Sequence, residues 1–528
     1  MSPPAVPLPP SAAEIARRDR RAWIAVATAT VAAFTSYLDI TVTNASLPQI
    51  QGAIGASGTE GPWIGTSYIA AEVVVIPLTA WLGRLFGMRL SLQLAIIQFT
   101  AFSLVCATST SLTQMIIGRV GQGFAGGSLI PAGLTIIATR LTPDQRPIGL
   151  SIYATTTVLA PVLGPLIGGW LTENLSWHWI FYMNLPLGGL MLGMIVWGMD
   201  PEPMRRDELA KADWLGIAGL VLALAGLVVV LEEGQRKNWF DSTEIVTLTL
   251  LSLTGFAMIL WSQFRAAHPV LKFRLMRDPR YCAAIVCIST IGGAPYAVVY
   301  LISTFLGTIA GYNAQQTGVV SFYAGITSFL CMPLLAYILS RIDIRLMIGG
   351  GMVLFACATY SDTGLTAESV GASFLLSQLV RGGAQMLGTL PLSQVATAGM
   401  PPEDAADGVA LFTVFRNLGG SAALAMCGVM LDRRFHFHAE QLGSATTANS
   451  PLAQERIADL AAGLMQQGAD AGYAQMQAAR LIAGEVQRQA LVMAYADCFW
   501  LASMMILIAL PAVFFVRRSL GDGRAVAH

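Results

Sequence analysis

Five ionisable residues stand inside apolar stretches of this sequence, where a charge needs a partner or a purpose: Asp39, Glu72, Arg119, Arg381 and Arg416. Asp39 lies in Leu38-Asp39-Ile40-Thr41-Val42-Thr43-Asn44-Ala45-Ser46-Leu47-Pro48. A charged carboxylate at that depth is costly, so the residue reads either as an acid that takes up and releases protons or as an interfacial helix cap. Glu72 has no basic residue beside it in the chain. It suits a second proton site, a recognition point for a cationic substrate, or a structural hydrogen bond. Arg119 opens Arg119-Val120-Gly121-Gln122-Gly123-Phe124-Ala125-Gly126-Gly127, where small residues let helices approach and the guanidinium needs an acceptor. If Asp39 is that acceptor, the pair is a coupling element; otherwise Arg119 is a static pin. Arg381 and Arg416 suit a substrate or proton site, a gate anchor, or a cation snorkelling to the interface.

The surroundings of these residues define the fold class. Of the 528 residues 55% are hydrophobic and 12% charged, more apolar surface than a soluble core can bury. A helical crossing takes about 20 apolar residues, because lipid cannot satisfy free backbone groups. Fourteen such stretches are expected, so the chain reads as an all-α polytopic membrane protein. The second and the twelfth, near Trp63 and Ala372, are the weakest of these assignments, because each contains an ionisable residue. Of the 31 Lys and Arg residues 21 fall on the same side of the membrane as the N-terminus, which by the positive-inside rule places both termini in the cytoplasm. The first apolar stretch follows a Pro-rich, basic tail with no small-residue cleavage site and reads as a retained span.

The punctuation of the chain repeats. Gly123, Pro143-Asp144 and Gly149 recur at one constant offset as Gly382, Pro402-Glu403 and Gly408, as expected of a duplicated bundle. The resulting division is a tail over 1–21, a six-helix bundle over 22–200, a linker with an inserted helix pair over 201–264, a second six-helix bundle over 265–517, and a tail over 518–528. A polar segment over 432–490 within the second bundle is long enough for an extramembrane helical hairpin, with His436 and His438 read as exposed loop residues.

Ala160-Pro161-Val162-Leu163-Gly164-Pro165-Leu166-Ile167-Gly168-Gly169 breaks helix hydrogen bonds and permits close approach, so it is either a bend with a tight seam or a merely kinked packing helix. No G-x-S-x-G, H-E-x-x-H or phosphate-binding glycine loop occurs, so neither an enzyme nor an ATP-driven pump is expected. The seven cysteines form no C-x-x-C pair and read as packing residues; no cofactor or metal is expected. A net charge of zero gives no reason to expect a nucleic-acid partner.

The segments Leu38 to Pro48, Arg119 to Gly127, Ala160 to Gly169 and Trp177 to Gly188 resemble, in that order along the chain, motifs of the major facilitator superfamily, specifically its fourteen-helix EmrB/QacA-type drug:proton antiporters. The resemblance implies a proton-coupled exporter of small amphiphilic or lipophilic molecules in a bacterial inner membrane. It also implies proton coupling at Asp39 with Arg119 as its neighbour, and a conformational seam at Gly164, Pro165, Gly168 and Gly169. In similar antiporters of double-membrane bacteria a periplasmic adaptor and an outer-membrane channel are partners, and 432–490 is either their docking surface or a cap over the cavity. A dedicated metabolite exporter is the nearest alternative, a non-transporting membrane sensor a more distant one. The sequence departs from the superfamily pattern in Ala80-Trp81-Leu82-Gly83-Arg84, where Ala80 replaces a Gly and Arg84 stands where many members carry the Asp of a charge-based latch.

Overall fold

The computed structural model describes residues 12–57, 60–266, 269–339, 341–395, 404–445 and 450–516, and these are almost entirely helical. Fourteen long helices run alternately up and down among the described residues. The first seven are α1 (Ala12–Ala45), α2 (Trp63–Phe86), α3 (Met88–Ala107), α4 (Leu112–Arg140), α5 (Arg146–Asn174), α6 (Trp179–Gly198) and α7 (Trp214–Glu233). Then come α8 (Thr243–Arg265), α9 (Pro279–Thr308), α10 (Ala314–Leu339), α11 (Ile344–Ser361), α12 (Leu375–Val395), α13 (Ala405–Ala445) and α14 (Ala471–Ala509). We call the end at which α1 starts the base and the opposite end the top.

Local sequence explains where helices begin. Asp213, Asp278, Asp343 and Asp470 each accept a hydrogen bond from a first-turn backbone N–H, at 2.8–3.1 Å, and Ser111 does the same for α4. The turn from α2 to α3 is the single residue Gly87, with φ of 78° and a Cβ position only 2.7 Å from Glu202 Cβ. Only glycine satisfies both constraints.

Twelve of the helices are long and apolar enough to cross a membrane. The other two are α5 and α12. For α12 the reason is visible in its packing: Ser377, Gln378, Arg381, Ser393 and Gln394 are all buried against protein, so this helix does not need lipophilic faces. The second stretch, α2, qualifies in spite of Glu72. The chain is inside-out relative to a soluble protein. Phe264 is 89% exposed and Trp197 76%, whereas Arg119 is wholly buried.

Helices α1 to α6 pack on one another, as do α9 to α14, and α7 with α8 forms a separate pair lying along α2 and α13. The two bundles meet along two lines, α5 against α10 and α12, and α13 against α2 and α4. The repeat has a steric counterpart. A Cβ on Gly123 would run into the Tyr68 carbonyl of α2, and one on Gly382 into the Ala324 carbonyl of α10, so both glycines allow the same kind of helix crossing. Pro402 and Glu403 lie outside the described residues, as do 1–11 and 518–528.

At the top, α13 continues to Ala445, a helix over Pro451–Gln466 turns back, and α14 starts at Ala471. That helix packs on α14 through Ala461, Ala474 and Ala478. His436 is exposed, as its polar context suggests, but His438 is not. It is buried and hydrogen-bonds Asp497 of α14 at 2.7 Å, with Arg434 paired to the same carboxylate. The reason is that α13 and α14 extend together beyond the spans, so one face of each stays covered. All seven cysteines are free thiols.

Candidate functional site

Asp39 on α1 and Arg119 on α4 form a buried ion pair. The carboxylate is fully engaged: Oδ2 accepts from Arg119 Nη1, and Oδ1 accepts from Asn184 Nδ2 of α6 at 2.8 Å and Gln122 Nε2 at 3.2 Å. Arg119 also donates through Nε to the Ile64 carbonyl of α2 at 3.1 Å and through Nη1 to Gln122 Oε1 at 3.0 Å. Its guanidinium carbon lies 4.3 Å from the centre of the Tyr68 ring. Small residues allow this density. Positions 118, 121 and 123 hold glycine exactly where Cβ atoms would strike Cys106, Phe102 and Tyr68. Sequence reasoning paired Asp39 with Arg119 but missed Asn184, Gln122 and Ser103, which complete the cluster. Asn184 was detectable as the lone amide in the otherwise apolar Tyr182 to Gly188 run.

The second bundle carries a related cluster. Arg381 Nη1 donates to Asp362 at 2.6 Å, Nε to Gln378 Oε1 at 3.2 Å and Nη2 to Ser377 at 2.8 Å, all buried. At the offset of the repeat, Arg119, Gln122 and Ser103 correspond to Gln378, Arg381 and Asp362. The same helix pair therefore presents Arg and Gln in exchanged order, and the acid comes from a different helix. Asp362 escaped sequence reasoning because it follows the last turn of α11, where an Asp reads as a helix end. Breaking such a pair leaves a buried charge, at a cost of about 3–5 kcal/mol. Arg381→Met is expected to lower the unfolding temperature of the purified protein, and adding Asp362→Leu to restore most of the loss; a single variant as stable as wild type would show the pair to be dispensable.

Between the bundles, Glu72 of α2 is buried and accepts from Asn417 Nδ2 of α13 at 2.9 Å. The adjacent Arg416 is 7% exposed, with its guanidinium carbon 5.0 Å from the centre of the Tyr37 ring of α1. The structure thus pairs Asp39 with Arg119 and Arg381 with Asp362, sets Glu72 against Asn417 of α13, and lays Arg416 over the Tyr37 ring of α1.

Gly164, Pro165, Gly168 and Gly169 lie where α5 is pressed between α1 and α10. A Cβ on Gly164 would collide with the Thr41 side chain, and one on Gly168 would stand 2.9 Å from the Val42 carbonyl oxygen. On the other side, Pro165 abuts Gly318 of α10, and Gly169 faces Gln315. The segment is a close-packed seam within a continuous helix.

At the base, Arg84 does join the bundles, with the charge order reversed. It pairs with Asp407 of α13 at 3.3 Å and approaches Glu208 at 3.8 Å. Lys272 bridges Asp407 at 2.8 Å and Asp404 at 2.6 Å, and Arg274 holds Asp404 at 3.1 Å. The latch that the absent Asp put in question is built from a cation on α2 and acids at the start of α13. A cavity of about 500 Å³ beside it is lined by Arg84, Thr135 and Arg140 and reaches Ala406 of α13. The hydrogen bond from Lys272, with the nearby Arg274, holds the Asp404 carboxyl below the usual carboxylate range. Lys272 is pushed down by partial burial, but its bonds to Asp404 and Asp407 outweigh this and raise it. A depressed carboxylate contributes above its unfolded value near 4 and loses that contribution as pH falls through the lower folded value. The latch should therefore hold throughout the neutral range. Arg84→Asp sets like charges together and is expected to raise thiol labelling of a Thr135→Cys reporter several-fold in a background lacking native cysteines, with Asp407→Arg reversing the effect; unchanged labelling would remove Arg84 from the latch.

The match to a Major Facilitator Superfamily model spans residues 29–424, from within α1 to the middle of α13, and so covers the first bundle and most of the second without α14. The chain belongs to that superfamily. It is 29% identical to the colistin resistance protein EmrB of Acinetobacter baumannii over 94% of this chain and 97% of that one. It is 28% identical to the multidrug export protein EmrB of Escherichia coli K12 over 93% and 95%. Among solved structures, the proton:xylose symporter XylE superposes with a TM-score of 0.60 at 13% identity, covering 94% of this chain and 96% of XylE, a likeness of fold. This superfamily member is of the EmrB type, and its charge clusters sit on superfamily helices.

Proposed function

We propose that the protein is a proton-coupled multidrug exporter of the bacterial inner membrane that works by alternating access. The observation that carries this reading is the Asp39–Arg119 pair, buried and closed by Gln122 and Asn184. Protonation of Asp39 removes the counter-charge of Arg119, so the cluster binding α1, α4 and α6 has two electrostatic states. That change biases the two bundles, 22–200 and 265–517, between access from the base and access from the top. One proton crossing about 100 mV supplies roughly 2.3 kcal/mol, enough to drive accumulation of cargo. The multidrug-export name of the Escherichia coli relative supports small-molecule cargo.

The base carries Arg84, Arg89 and Arg140, which by the positive-inside rule makes it cytoplasmic and gives both termini that side. The hairpin over 432–490 then stands in the periplasm. Its exposed face, with Tyr473, Met476 and Leu481 on α14, suits docking of a periplasmic adaptor that leads to an outer-membrane channel. The reading is tested in acid-loaded proteoliposomes: adding a transported compound should release protons, and the release should be absent with Asp39→Asn. Cargo movement that is indifferent to the proton gradient would refute coupling.

A further inference from the structure

The helix pair α7 and α8 lies outside both bundles, yet the end of α7 reaches each of them. α7 follows α2 from Trp214, whose ring meets that of Trp81 edge-on with centroids 6.2 Å apart, and packs on α13 along its last stretch, Gly226–Glu233. Two consecutive acids close the helix. Glu233 is buried, accepts from the Thr66 hydroxyl of α2 at 3.1 Å and pairs with Arg236. Glu232 turns to the other bundle and accepts from the Ser421 hydroxyl of α13 at 3.3 Å. Just beyond, Gln235 Nε2 donates to the Gly428 carbonyl of α13 at 2.6 Å. A Cβ on Gly428 would stand 2.1 Å from Gln235 Oε1, so any larger residue there would displace the amide. On the α2 side, Lys237 lies over the Trp63 ring, 5.5 Å from its centre.

Neither the acids nor the loop suit a helix that only fills space. Carboxylates in a last turn face the negative end of the helix dipole, so they need donors from elsewhere, here two hydroxyls and a guanidinium. The loop that follows holds Asn238 and Trp239 at positive φ, 55° and 51°. The Trp239 N–H donates to the Gly234 carbonyl at 2.6 Å, and its ring lies 2.7 Å from where a Gly234 Cβ would stand. A left-handed tryptophan is rare and persists where its surroundings fix it. The fixed loop presents Gln235 to α13 and Lys237 to α2.

Arg84–Asp407 at the base and Glu72–Asn417 further up join α2 to α13 directly, whereas at the top the same two helices are joined through α7. The two attachments of α7 are unequal. It is held to α2 at both ends, by Trp214 at the base and by Glu233 and Lys237 at the top, and to α13 at the top, by Glu232 and Gln235. A helix fastened at both ends to one neighbour and at its tip to another travels with the first. Resting on the alternating-access reading above, we propose that Glu232 and Gln235 are positioning residues of an outer latch: α7 moves with the first bundle, and its bonds to Ser421 and Gly428 break when the bundles part at the top.

The test uses a short bifunctional methanethiosulfonate on cysteine pairs in the full chain, lacking native cysteines and reconstituted in proteoliposomes. Gln235→Cys with Gly428→Cys spans the releasable contact, and Trp63→Cys with Lys237→Cys spans the fixed one at the same height. Arg84→Asp, by freeing the base, should close the top and raise the cross-linking rate of the first pair several-fold, leaving the second pair unchanged. Neither cargo nor a proton gradient enters that reading. A first pair whose rate stays level or falls, or a second pair that responds equally, would overturn the proposal. In a transport arm, the first cross-link should cut export at least about tenfold and thiol reduction restore it, while the second cross-link leaves export intact. Full export through the first cross-link, or loss of export through the second, overturns the latch even where Arg84→Asp leaves the base closed. Should the first pair not assemble, Glu232→Cys with Ser421→Cys reads the neighbouring contact by the same criteria. Cross-linking rates that shift as expected in protein that moves no cargo would refute the exporter reading and leave the latch standing.

Discussion

Asp39→Asn protein is expected to lose proton-driven accumulation of cargo by at least about 100-fold, roughly 2.7 kcal/mol in the coupled step, while still exchanging cargo down its gradient. The substitution preserves shape, and an amide oxygen can still accept from Asn184 or Gln122. What it removes is the titrating group. It also leaves the fully buried Arg119 without a counter-charge, which costs about 3–5 kcal/mol and should lower the unfolding temperature. The two effects are separable by adding Arg119→Gln. The double variant should regain much of the stability, because no uncompensated charge remains, and regain none of the coupling. Transport assays with and without a proton gradient, read beside thermal unfolding of the same preparations, check both halves. Full accumulation by Asp39→Asn protein with an unchanged pH profile would sink the assignment of Asp39.

The second large effect is steric. Gly164→Val is expected to reduce transport at least about tenfold even in protein that folds. Any Cβ at this position lies 3.0 Å from the Thr41 carbonyl carbon and closer still to the Thr41 side chain, and valine adds two methyl groups to that overlap. Replacing Gly in a helix normally favours the helix by up to about 1 kcal/mol. Overpacking costs about 1–3 kcal/mol and wins here, because the obstruction includes backbone and not only a flexible side chain. Thr41 also bonds the Ala160 carbonyl at 3.2 Å, so pushing α1 and α5 apart loses this contact as well. Thr41→Gly should partly rescue Gly164→Ala by clearing the side chain, a compensation that would not occur if Gly164 acted only as a flexible hinge. Initial transport rates of the single and double variants decide between the two.

The sequence by itself determined that this is a helical membrane protein of a duplicated superfamily plan, because apolar runs of spanning length and recurrent glycines are properties of single segments. It also singled out the charges worth attention, since each ionisable residue in an apolar run is anomalous before any partner is known. The partners were decided by tertiary structure alone. Asp39 lies 80 positions from Arg119 and 145 from Asn184 in the chain, and no local spacing brings them together. Arg381 found Asp362, which local sequence presents as an ordinary helix end. Arg84 looked like the loss of a latch until α13 placed Asp407 opposite it, a match set by the approach of two bundles and invisible in either segment. His438 read as exposed because a polar segment does not announce that its helix is accompanied by another. Arg416 remained without an acid for the same reason: pairing is a property of the packed seam, where helix faces from both halves of the chain meet, and one-dimensional pattern carries only the faces.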